Sequence, residues 1–197
     1  MTAISATAEV PEARVDSAQP SARKTAPEVG FLSQLSFAVH LDMGAVRAVA
    51  VDAANGWKVA CIVALGGCAI AVASASSTPA VFVAGLAVAF SGWLAGATAI
   101  WILARGLGHD RADLGELARG LGLMSFPLML LALPTFAGEA PLMLLRGFEV
   151  FVYSLAAANW VLVTRELVRS SMPAATGIGL VGICIAAAPA LIAGAVL

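Results

Sequence analysis

Arg146 and Glu149 are the residues best placed to do chemistry in this chain, because both fall inside a long apolar run, PLMLLRGFEVFVYSLAAANWVLVT. An ionisable side chain at the centre of a membrane helix costs about 2.5–3.5 kcal/mol on insertion scales, so its presence asks for a reason. The spacing i, i+3 lets opposite charges meet on a helix surface. Counted from Pro141 at about 1.5 Å per residue, the two lie roughly 7 and 12 Å below the nearer membrane edge. Tyr153 and Trp160 continue the same stripe at about 100° per residue, and Asn159 points to a nearly opposite face. One reading makes Arg146, Glu149 and Tyr153 the lining for a polar substrate, a proton or a lipid headgroup. The other makes Arg146 and Glu149 a self-neutralising pair that pins its helix against a bundle, with Arg146 snorkelling outward. Glu139, in the adjoining joint, fits either arrangement.

Other chemistries find little support. The chain has no His-Glu-x-x-His pair, no Gly-x-Ser-x-Gly elbow and no Cys-x-x-Cys. His40 and His109 both stand outside the apolar runs, which argues against bis-histidine haem ligation; His109, beside Asp110, reads as a surface residue. Cys61, Cys68 and Cys184 sit within apolar runs and read as small packing residues. Along a helix Cys61 and Cys68 are roughly 10.5 Å apart, beyond the roughly 7 Å limit for disulfide Cα atoms. No catalytic residue, metal or cofactor is therefore expected. Aromatic faces carrying Phe90, Trp93 and Trp101 would nevertheless accept a lipid, pigment or quinone without leaving a motif, and they equally suit interfacial anchoring. A net charge of −1 and a pI near 6.1 provide no basic field for nucleic acid.

The elements that must position these residues are membrane helices. Hydrophobic residues make up 60% of the 197 and charged ones 12%, with a mean hydropathy of +0.94. Soluble domains run about 45–50% apolar and about 25% charged. A spanning helix needs about 20 predominantly apolar residues, and five candidates follow, at about 58–75, 80–104, 121–137, 141–164 and 174–196. Kinks are expected near Pro127, Pro134 and Pro189, since membrane helices tolerate proline where neighbours satisfy the freed carbonyls. The fold class is an all-α integral membrane bundle of five transmembrane helices over 57–197. Residues 1–30 mix Ala, Ser, Pro, Glu and Arg without periodicity and read as a disordered tail. Residues 31–56 carry Phe31, Leu35, Val39, Val46 and Val49 at helical spacing and read as an interfacial amphipathic segment.

Orientation follows from the basic residues. Arg14, Arg23, Lys24, Arg47 and Lys58 precede or open the first span, Arg105, Arg111 and Arg119 fill the joint after the second, and Arg165 and Arg169 the joint after the fourth. All fall on one side, leaving Arg146 alone inside a span. The N-terminus is thus expected in the cytoplasm and the C-terminus outside. Gly85, Gly92 and Gly96 on the second span, and Gly177, Gly179 and Gly182 on the fifth, form small-residue stripes that permit close helix packing, within one subunit or between subunits.

This arrangement resembles the Yip1-domain family of five-span membrane proteins, most closely over residues 121–188. Phe126-Pro127 opens a short span ending in Leu133-Pro134, and a small joint and a long fourth span follow. A basic joint, Arg165-Glu-Leu-Val-Arg169-Ser-Ser, then leads into an Ala/Gly-rich last helix near Ala174. The resemblance implies the five-span fold and a non-enzymatic character, with no catalytic residues to carry over. Eukaryotic members act in vesicle traffic with small GTPases, but their short cytoplasmic motifs are not recognisable here. The Ala-, Gly- and Arg-rich composition suits a bacterium of high genomic GC content, hence a cell inner membrane. The expected function is that of an accessory or scaffolding subunit, or a membrane-organising factor, acting by helix–helix association with other membrane subunits, with itself and with lipids. The alternative is a small permease or lipid-handling protein that uses Arg146 and Glu149.

Overall fold

The computed structural model describes residues 42–73, 78–109, 113–136 and 141–196. The tail at 1–30, the first part of the 31–56 segment with His40, and Glu139 lie outside the described residues. Among the described residues every regular element is helical: α1 (Met43–Val51), a 3-10 turn at Ala53–Asn55, α2 (Gly56–Ala73), α3 (Pro79–Gly106), α4 (Leu114–Leu123), a 3-10 helix at Phe126–Phe136, α5 (Leu142–Val168) and α6 (Met172–Val196). Among the described residues five stretches are long and apolar enough to cross a membrane: Ala53–Ala73, Pro79–Gly106, Leu114–Thr135, Leu142–Val168 and Met172–Ala193.

Asp42 caps α1 by accepting from the backbone N–H of Gly44 at 2.9 Å and of Ala45 at 3.3 Å. The helix therefore begins there, and Asp42, which stands between Val39 and Val46 in the sequence, is its start signal. Val46, Val49 and Ala50 are fully buried, against α4 and α5. The described part of the 31–56 segment thus turns its apolar face into the protein.

The third span departs most from its sequence-based bounds. It starts at Leu114 instead of 121, because Asp113 caps α4 through the Gly115 N–H at 2.9 Å. Glu116 and Arg119, assigned to a polar joint from sequence, belong to this helix. The α-helix then ends for a local reason. Pro127 has no N–H to offer the Leu123 carbonyl. Upstream the turns tighten: the Ser125 N–H bonds the Gly122 carbonyl at 3.2 Å, and the Ser125 hydroxyl takes the Leu121 carbonyl at 2.9 Å. A 3-10 helix carries the chain onward past Pro134. Pro189, by contrast, lies within a continuous α6.

The five spans close into a ring. α2 packs on α3, α3 most extensively on α6, α6 on α5, and the third span joins α5 back to α2. At the end carrying most of the basic residues, α4 also reaches across to α3. There the Trp93 indole N–H donates to the Ala118 carbonyl at 2.7 Å. Beyond Ser125 the slimmer 3-10 helix packs chiefly on α2 and α5.

Candidate functional site

Where the third span leaves α3, the helices line a partly open cavity of about 470 Å³. Every span contributes to its wall, through Val63 on α2, Gly92 on α3, Ser125 after α4, Tyr153 and Trp160 on α5, and Ala186 on α6. Counted at about 1.5 Å per residue, Val63 lies roughly 10 Å from the start of α2 and Tyr153 roughly 16 Å from the start of α5, so the cavity lies along the middle part of these spans. Small side chains make the room: Ala156, Ala157, Ala187 and Ala190 line it alongside Gly66 and Ala89.

The wall's polar groups are mostly engaged. Trp160 is 7% exposed, and its indole N–H donates to the Ser125 hydroxyl oxygen at 3.2 Å. The Ser125 hydroxyl hydrogen already goes to Leu121. Trp93 is held by Ala118 and meets Phe90 edge-on, with ring centroids 6.0 Å apart. Tyr153 is different. It is 50% exposed, and its hydroxyl makes no hydrogen bond among the described residues. Trp101, grouped with Trp93 and Phe90 from sequence, lies instead under the Arg105 guanidinium, 4.3 Å from the ring centroid.

Arg146 and Glu149 do form a pair, Nη1 to Oε2 at 2.8 Å. Neither lines the cavity, and their side chains are 72% and 33% exposed. Of the sequence-derived trio, Tyr153 lines the cavity, whereas Arg146 and Glu149, one turn or more away on the same helix, do not. The surrounding half of α5 is equally bare, with Leu142, Leu144, Val150 and Phe151 exposed and Met143 at 88%. Asn159, on the opposite face, is 2% exposed, and its side-chain oxygen has no partner among the described residues.

The glycine stripes act inside the chain. A Cβ on Gly85 would strike the Gly67 carbonyl at 2.7 Å, one on Gly92 the Ala186 carbonyl, and one on Gly96 the Trp160 ring at 2.7 Å. These residues set how closely α3 approaches α2, α5 and α6. Gly179 and Gly182 pack likewise against Val161 and Ile100, but Gly177 faces open space and holds nothing together. The cysteines need a similar correction: Cys61 and Cys184 are exposed, so they do not pack the core. No group of three or more His, Cys, Asp or Glu side chains among the described residues could hold a metal ion.

The cavity residues other than Gly92, Tyr153 and the tryptophans were not singled out from sequence. Ser125, a lone hydroxyl two residues before a proline in an apolar run, is the signal that could have pointed to them.

By fold, this is an all-helical protein with five helices able to cross a membrane, and thus a multi-pass membrane protein. No family model matches the chain, and neither a curated protein nor a solved structure does.

Proposed function

We propose that the protein is a non-enzymatic membrane subunit that acts by associating with other membrane helices, as an accessory or scaffolding component or a membrane-organising factor. The supporting observation is the Arg146–Glu149 pair on the bare half of α5, with Arg146 exposed and Glu149 partly so. Charged groups facing hydrocarbon are costly, at up to about 2.5–3.5 kcal/mol each for an unpaired group at the helix centre and less toward the membrane edge. A second membrane-spanning segment laid along this face would remove the pair from lipid and offer it further hydrogen-bonding partners. That segment belongs to another subunit or to a second copy of this chain. The glycine stripes of α3 do not serve this contact, since Gly85, Gly92 and Gly96 are occupied internally.

The basic side chains gathered at one end support a cytoplasmic N-terminus and an outside C-terminus, with α1 near the interface on the cytoplasmic side. Composition supports a bacterial inner membrane. The Yip1-domain likeness, an architectural one, agrees with the five-span layout and with a non-enzymatic role. The permease alternative has weaker support, because Arg146 and Glu149 do not line the cavity.

Purification in mild detergent tests the association. The intact chain is expected in an assembly larger than a monomer, and Arg146→Ala combined with Glu149→Ala should release it without lowering its membrane abundance. Recovery of the unaltered chain as a free monomer, with no cross-linked partner in its native membrane, would overturn the reading. Loss of a transport phenotype in Glu149→Gln, at unchanged abundance, would instead favour the permease.

A further inference from the structure

The cavity inside the ring invites a ligand of its own, independent of what covers α5. Its volume, about 470 Å³, falls in the roughly 300–1,000 Å³ range of small-molecule sites. Its wall is built from alanines, glycines, aliphatic side chains and the faces of Trp93 and Trp160. Water has little to hold it there, because the Ser125 hydroxyl and both indole N–H groups are already engaged. The wall atoms lack contact partners on one side, a deficit that hydrocarbon corrects. One polar side-chain atom of the wall makes no hydrogen bond among the described residues, the hydroxyl of half-exposed Tyr153. One helical turn along α5 lies Glu149, at i−4 on the same face, with the Arg146 guanidinium beside it.

We infer that the cavity binds one hydrocarbon chain of an amphiphile drawn from the surrounding membrane, with a hydrogen-bonding end held at Tyr153. The chain lies among Val63, Ala157, Trp160 and Ala187, at the level where the 3-10 helix parts from α3. The polar end lies toward the Arg146–Glu149 side of Tyr153. The site selects for a linear apolar body and a single hydrogen-bonding end, and it excludes ionic solutes.

Trp93 and Trp160 line the cavity whereas Trp57 and Trp101 do not, so tryptophan emission reports its contents. The probe is the full chain with Trp57→Phe and Trp101→Phe, reconstituted in phospholipid vesicles whose acyl chains carry bromine, a contact quencher. Strong quenching is expected, falling at least twofold when Ala157→Phe or Ala187→Phe fills the cavity. Ala158→Phe, on the exposed face outside the cavity, should leave it unchanged. Equal quenching in filled and unfilled proteins would overturn the assignment. Each variant's helix content and monodispersity are checked first. Should neither filled variant fold, lipid counting by mass on the unaltered chain after detergent exchange decides: one retained amphiphile per chain sustains the site, and none overturns it. Relief of quenching by an added unbrominated long-chain alcohol identifies a free amphiphile as the occupant, and persistence identifies a phospholipid chain; both sustain a hydrocarbon-chain site.

Discussion

At the basic end of the bundle, α1, α4 and the last turns of α5 close over a continuous apolar core, whereas the described residues of the opposite end bury far fewer side chains. Val46, Val49, Leu117, Leu121 and Val163 are fully buried in the first region. The second has a much smaller cluster, around Ala69, Leu131 and Val152. Polar groups divide the same way. At the basic end they tie elements together: Arg119 Nε donates to the Ala50 carbonyl at 2.6 Å, Arg47 lies 3.8 Å from Glu166, and Lys58 donates to Asn55 at 3.0 Å. At the opposite end Arg146 and Glu149, among the described residues, bond within their own helix turn. The difference teaches where this chain holds its stability and where it keeps surface for others. A core that buries side chains on all sides resists change, while a bare helix half and the cavity beside it can accept a partner and a ligand.

This contrast can be broken by matched substitutions. Leu121→Ala, in the closed core, should lower stability by about 2–5 kcal/mol, read as an earlier unfolding midpoint in mixed micelles. Leu144→Ala, on the bare half of α5, should change it by less than about 0.5 kcal/mol. Equal losses would erase the distinction between the two ends.

A smaller effect should come from the tie between α1 and α4. Arg119→Met removes a hydrogen bond from a charged group, of the kind worth about 1.5–3 kcal/mol. Amide exchange should accelerate across Met43–Val51 and leave α3 and α6 protected. Unchanged exchange would mean that Val46, Val49 and Ala50 hold α1 without help.

The smallest effect sharpens the comparison. Asn159 is buried with an unpartnered oxygen, and such a group costs about 1–3 kcal/mol. Asn159→Leu should therefore raise the unfolding midpoint modestly. A fall instead would show that the amide serves a partner in the assembled protein.

Much of the membrane layout was legible because hydrocarbon imposes a length. Each span needs a long apolar run, and the runs from Lys58 onward stand apart from their polar joints. Helix starts were less clear because they rest on single capping side chains. Asp42 and Asp113 each begin a helix, and Asp113 followed three residues later by Glu116 is a capping signal hidden within a stretch that also looks like a charged loop. The Arg146–Glu149 pair followed from i, i+3 geometry, which is local to one helix. Its exposure did not, since that depends on which neighbours α5 meets.

The sequence by itself determined that most of this chain lives among lipid chains, how many times it can cross, and which opposite charges meet on α5. These are properties of single segments against their solvent. Only the tertiary structure decided that the α3 glycines face inward, that α1 buries its apolar side in the bundle, and that five helices leave a cavity beneath Tyr153. A void belongs to no segment: it appears where several backbones approach closely in one layer and diverge in the next, and that depends on all of them at once.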